Sequence, residues 1–162
     1  MSGIRRLGVA RALVDGELVE GDVEVDAEGV IRAVGVGSGS GSHTAVPGLV
    51  DLQVNGVAGI DLRAAGREGY ADAAEVLARH GATAVQPTFY SQPLAAHRAS
   101  LELLGDVLAD PPPGCRMLPA HMEGPFLSPV RRGAHRVEDL LAPDLDQALE
   151  VFAQQHFAEL LA

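Results

Sequence analysis

Up to residue 46 the apolar positions come in short runs separated by turn residues. Leu7 to Val14 and Leu18–Val19 flank Asp15–Gly16, a pair that favours the tight turn of a β-hairpin. Val23-Glu24-Val25-Asp26 alternates apolar and polar side chains, as a strand with one buried face does. Ala27-Glu28-Gly29 reads as a turn and Val30 to Val36 as a further strand. Gly37 to Ser42 alternates glycine with serine and reads as a flexible, solvated connector. From Pro47 the rhythm changes to strand and helix in alternation, the mark of parallel α/β architecture. Leu49 to Asn55 predicts a strand. Gly66 to His80 predicts a helix with Tyr70, Ala73, Ala74 and Leu77 on one face and Gly81 as its stop. Ala84 to Tyr90 predicts the second strand, and Ser91 the cap of a helix to about Ala109 that Pro111-Pro112-Pro113 ends. A third strand runs over residues 116–122 toward Glu123. Pro143 or Asp144 opens a last helix toward the chain end, with Leu145, Leu149, Phe152 and Leu160 near helical spacing. The change of pattern divides the chain into residues 1–46, a β unit, and residues 47–162, the strand-helix part.

Charge narrows the partners. Twenty-two acidic residues against 12 basic ones give a net charge of −10, so a phosphodiester backbone is a poor partner and no nucleic acid is expected. Every basic residue is an arginine, a bias we read as codon composition. Cys115 is the single cysteine. It excludes an intramolecular disulfide, suits a reducing compartment, and reads as a small buried hydrophobe in preference to a nucleophile. The basic start Met1–Arg6 is not followed by an apolar run of signal length, because Arg11 and Asp15 interrupt it. No stretch approaches the roughly 20 apolar residues of a membrane span. A cytoplasmic protein without a membrane partner is therefore expected. The Gly/Ser connector lacks GxGxxG spacing and does not read as a phosphate cradle.

The candidate chemistry sits at the end of the third strand, in His121-Met122-Glu123-Gly124-Pro125-Phe126-Leu127-Ser128-Pro129, followed by Arg131-Arg132-Gly133-Ala134-His135. Strand alternation puts His121 and Glu123 on one face and Met122 on the other. Gly124–Pro125 stops the strand, so an imidazole and a carboxylate emerge together at a loop. Burying a carboxylate there is costly unless it is paired or holds a cation. In the first strand Asp51, Gln53 and Asn55 also alternate onto one face. His43, His80, His97 and His156, in the connector or on helices, read as structural or exposed.

The His121–Pro129 block with Arg131–His135 resembles the signature of N-acetylglucosamine-6-phosphate deacetylases, in the amidohydrolase superfamily. Pro47-Gly48-Leu49-Val50-Asp51-Leu52-Gln53-Val54-Asn55-Gly56 resembles the same family's first barrel strand. The resemblance implies an α/β fold: the first three strands of a (β/α)8 barrel of the TIM type, preceded by the β unit of a small sandwich domain. Such a barrel takes about 250 residues, and fewer than half that number follow Pro47. The expectation is the front part of a larger protein, or a truncated gene product.

The resemblance further implies metal-assisted hydrolysis of the acetyl amide of N-acetyl-D-glucosamine 6-phosphate, giving D-glucosamine 6-phosphate and acetate. Glu123 matches the carboxylate metal ligand, of one divalent ion such as zinc. The family's other ligands, two histidines, and its general acid/base aspartate fall on later strands, so no catalytic residue is expected within this chain, which should be inactive alone. Many amidohydrolases carry His-x-His where this sequence has Gln53 and Asn55; neutral amides are poor partners for a transition metal, which points to the single-metal branch. Gln53, Asn55 and His121 are candidates to orient the ligand, with ordinary strand-end hydrogen bonds or a satisfied interior histidine as the competing readings. Ala134 and His135 match the sugar-contacting positions. Arg131 and Arg132 suit a phosphate but read better as solvated loop charges. The expected partners are the small amino-sugar phosphate and, at full length, further copies of the protein in a homo-oligomer. The alternatives are another metal-dependent amidohydrolase acting on a different N-acyl or cyclic amide, or a non-catalytic truncated remnant.

Overall fold

The computed structural model describes residues 3–39 and 41–152, which fall into two units, Met1–Pro47 and Gly48–Ala162. The first carries β1 (Arg5–Arg6), β2 (Arg11–Val14), β3 (Glu17–Glu20), β4 (Asp22–Val25), β5 (Ile31–Val36) and β6 (Thr44–Ala45). These make two three-stranded sheets, ordered β1-β4-β5 and β3-β2-β6. Asp15 and Gly16 both take left-handed angles, φ 50° and 85°, which suits a two-residue hairpin turn between right-twisted strands. The β2–β3 pair is antiparallel with Leu13 opposite Leu18, as the sequence predicts. Val9, Ala12, Val23 and Val25 form the unit's core.

The strand expected from Leu7 does not begin until Arg11. The amides of Gly8 and Val9 are taken instead by the buried Asp22 carboxylate, at 3.0 and 3.1 Å, which also accepts the Val23 N–H at 2.8 Å. Asp26, equally buried, accepts the Val30 N–H at 2.8 Å and the Arg32 guanidinium at 2.6 Å. Two carboxylates buried in so small a core need this satisfaction.

The second unit carries β7 (Leu49–Val54), β8 (Gly56–Val57), β9 (Ile60–Asp61), α1 (Gly66–Arg79), β10 (Ala82–Tyr90), α2 (Leu94–Ala109), β11 (Arg116–Met117), β12 (His121–Glu123) and α3 (Leu145–Phe152). β10 is central: it pairs in parallel with β7 on one side and with β11 and β12 on the other. The three expected strands are thus adjacent and parallel. Almost every residue of β10 is buried or half-buried, as a parallel strand covered on both faces requires. Tyr70, Ala73 and Ala74 of α1 are fully buried with Leu62, Val85, Phe89 and Leu104, and Gly81 (φ 89°) ends α1 as predicted.

Two details differ from the sequence reading. The third strand is broken: β11 ends opposite Val85 and β12 resumes opposite Thr88. Pro119 and Pro87, neither with an N–H to give a ladder, lie in the interruption. And Ser91 is not a helix cap. α2 starts at Leu94, with the Pro93 carbonyl accepting the Ala96 and His97 amides; proline is well suited to a helix start. Of the last helix, Leu145 to Phe152 is helical; Leu160 and His156 lie outside the described residues. Among the described residues no helix is long and apolar enough to cross a membrane.

Candidate active site

Both sequence blocks lead to the C-terminal ends of the parallel strands. Gln53, near the end of β7, donates its side-chain N–H to Glu123 Oε1 at the end of β12. Asp51 Oδ1 accepts the Gln53 backbone N–H at 3.0 Å, one step earlier on the same strand. The other carboxylate oxygen, Glu123 Oε2, lies 3.9 Å from His135 Nε2. Glu123 and His135 are both half-buried, so the pair is shielded from bulk water but not sealed from it.

His135 reaches this place from the loop after β12, which folds back through two short 3-10 turns, Pro129–Arg131 and Val137–Asp139. Its ring is held from behind by Ser91, the residue that follows β10. The Ser91 backbone N–H donates to His135 Nδ1 at 3.2 Å, and Ser91 Oγ lies 2.9 Å from the same nitrogen. The ring stands edge-to-face on Tyr90, with centroids 6.2 Å apart and planes at 89°. Arg132 donates to the His135 carbonyl. Its neighbour Arg131 is exposed.

Behind Tyr90 a cation completes the wall. The Arg63 guanidinium sits 3.3 Å over the Tyr90 ring centroid and hydrogen-bonds the Tyr90 hydroxyl. Asp61 holds Arg63 from the other side at 2.7 Å. That hydrogen bond keeps the Asp61 carboxyl below its ordinary range. Deeper still, His97 is fully buried against Gln92, whose backbone N–H donates to Nε2 at 3.3 Å. Burial first, and the Arg63 charge second, lower the His97 pKa to about 4. His97 is therefore a neutral structural histidine.

The expected residues do not all converge. Gln53, Glu123 and His135 meet. Asn55, just beyond β7, turns its amide to the Thr88 carbonyl at 3.2 Å, a tie between strand ends. His121 is exposed, and its ring makes no hydrogen bond or ion pair among the described residues. Ala134 is exposed next to His135. The sequence reads Ser91 as a helix cap and not as a site residue, and it marks neither Tyr90 nor Arg63 for the site. The available signal was position: Tyr90 and Ser91 fall at the end of the middle strand, level with Glu123.

A catalytic zinc typically takes three protein ligands. Among the described residues no three His, Cys, Asp or Glu side chains stand together to hold an ion. One carboxylate with an amide partner does not make a metal site by itself.

No protein-family profile matches the chain. Individual relatives do. An N-acetylglucosamine-6-phosphate deacetylase of Bos taurus is 34% identical over 110 residues, covering 66% of this chain and 27% of its own length. One of Danio rerio is 41% identical over 93 residues, covering 55% and 22%. Among solved structures, the N-acetyl-D-glucosamine-6-phosphate deacetylase of Mycobacterium smegmatis, as a mutant in complex with N-acetyl-D-glucosamine-6-phosphate, superimposes with a TM-score of 0.73 at 25% identity, over 94% of this chain and 40% of that one. Each of these three proteins is named as an N-acetylglucosamine-6-phosphate deacetylase, and this chain is similar to part of each. This chain spans about a quarter of the length of the curated deacetylases it matches. Within that share the Gln53, Glu123 and His135 cluster is the part with chemistry to offer.

Proposed function

We propose that this chain is the portion of an N-acetylglucosamine-6-phosphate deacetylase that carries the first three strands of a (β/α)8 barrel, with residues 1–46 forming the β unit of a small sandwich domain. The observation that carries the reading is the meeting of Gln53, Glu123 and His135. They come from the two blocks that resemble the family and gather where such barrels place their active sites. The whole enzyme would hydrolyse the acetyl amide of N-acetyl-D-glucosamine 6-phosphate with the help of one divalent ion, in the cytoplasm and as a homo-oligomer.

In this reading Glu123 is one anionic metal ligand, and the remaining ligands and the acid/base aspartate come from outside the described residues. Gln53 fixes the carboxylate through Oε1 and leaves Oε2 facing His135. His135 and Ala134 flank the sugar. Asn55 and His121 are farther from the chemistry, the first as a tie between strands. No step can be assigned to the ion from these residues, since they do not complete a site for it.

The test compares this chain with a full-length relative in two assays: elemental analysis for metal, and acetate release from N-acetylglucosamine 6-phosphate. The chain alone is expected to hold no stoichiometric zinc and release no acetate. In the relative, the substitution equivalent to Glu123→Gln keeps the shape, removes the charge, and should reduce metal content and activity together. One zinc per chain with acetate release from this chain alone would overturn the partial-site reading. Undiminished metal and activity in the relative's variant would overturn the ligand assignment.

A further inference from the structure

We infer that Ser91 is a positioning residue that fixes His135 in the Nε2–H tautomer, making His135 a hydrogen-bond donor beside Glu123. A backbone N–H can only donate, and that of Ser91 points at His135 Nδ1 from 3.2 Å. A ring nitrogen that receives an N–H must offer its lone pair, so Nδ1 carries no proton and the neutral ring holds its proton on Nε2. The Ser91 hydroxyl acts in the same sense. It is 2.9 Å from Nδ1 and 3.4 Å from the Glu123 carbonyl, and an Nδ1 left unprotonated by the amide is open to its proton. Ser91, which approaches Nδ1, is 1% exposed.

The opposite tautomer would put an Nδ1 proton against the Ser91 amide hydrogen, and an Nε2 lone pair toward Glu123 Oε2, 3.9 Å away. Both contacts are repulsive. The motif's own glycine permits the arrangement: Gly124 takes φ 103°, and a Cβ there would overlap Ser91 Oγ. Tyr90, the next residue back, sets the ring plane by its edge-to-face contact. An Nε2–H selects an oxygen acceptor on whatever it meets, a carbonyl, hydroxyl or phosphoryl oxygen, and rejects an N–H donor. The ligand side of this inference rests on the deacetylase reading, in which His135 faces the amino sugar; the tautomer itself does not.

The experiment uses the 162-residue chain labelled with ¹⁵N at histidine, at about pH 8, above the ordinary imidazole pKa of about 6.5. The His135 signals are identified by their loss in His135→Gln. Expected are a pyridine-type Nδ1, a pyrrole-type protonated Nε2, and a scalar coupling across the hydrogen bond from the Ser91 amide to Nδ1. In Ser91→Ala the amide stays and the hydroxyl goes, so Nδ1 should stay unprotonated and its signal should shift by the loss of one hydrogen bond. A protonated Nδ1 in the wild type, averaged shifts there, or a Ser91→Ala spectrum identical to the wild type would each overturn the inference. Failure of the deacetylase reading would appear in acetate release and would leave these spectra unchanged.

Discussion

Glu123 is worth its place at the loop only because three neighbours divide the labour around it. Gln53 takes one oxygen, His135 faces the other at 3.9 Å, and Gly124 leaves room for Ser91 behind them. Gly124→Ala should therefore act in two ways. A side chain at φ 103° is strained, at a cost on the order of 1–3 kcal/mol, and its Cβ displaces Ser91. The check is thermal melting together with the His135 ring spectrum; an unchanged melt and spectrum would contradict it. His97 gives a pH prediction. Its folded pKa, about 4, lies below the ordinary value of about 6.5. The unfolded chain then binds the extra proton, so stability falls as pH drops from about 6.5 to 4, with about 2 kcal/mol lost by pH 5. Denaturant midpoints at pH 7 and pH 5 measure this, and His97→Gln should flatten the difference. Strand alternation placed Glu123 with His121 and Gln53 with Asn55, and only the family resemblance singled out Glu123. Ser91 was not legible as a site residue, because its contacts reach Glu123 and His135 across 32 and 44 residues and no local pattern registers them.

Periodicity located the elements, and hydrogen-bond chemistry set their limits. The hairpin at Asp15–Gly16 and the buried face of α1 could be read directly, since both express a local rule. The break between β11 and β12 could not: two prolines interrupt the ladder at one level only once the register of the strands is known. The late start of β2 had the same origin, a side chain 13 or 14 residues away capturing backbone amides. In α1, Tyr70 donates its hydroxyl to the Leu62 carbonyl at 2.8 Å in a fully buried setting. Tyr70→Phe leaves that carbonyl without its partner and should destabilise by about 1–3 kcal/mol, read in chemical denaturation. A loss under a few tenths would show that the carbonyl finds another donor. The first unit should be acid-sensitive for a different reason. Asp22 feels burial, which raises its pKa, but the amides of Val9, Val23 and Gly8 outweigh it; Asp26 is lowered chiefly by the Val30 amide. With folded pKa values below the ordinary 3.9 or so, these carboxylates stabilise the fold above that pH. Their contribution is lost as pH falls through the lowered values. Asp22→Asn should lower the melting midpoint at neutral pH and reduce the difference between neutral and acid conditions.

At the scale of the chain, the parallel sheet has an unfinished side. Leu49, Val50 and Leu52 of β7 are 63%, 58% and 59% exposed, and among the described residues β7 pairs only with β10. An open apolar edge is a template for pairing with another strand. The chain by itself should associate with concentration in sedimentation velocity, and Leu52→Lys should suppress this; a monomer at every concentration would refute the expectation. Cys115, by contrast, is closed off: 1% exposed, its amide on the Ala74 carbonyl at 3.0 Å, its thiol pKa raised by burial. As the single cysteine, it gives the molecule a built-in clock. A thiol reagent can label it only when α1 parts from the β11 end of the sheet, so at fixed pH and reagent the labelling rate follows the breathing of that core.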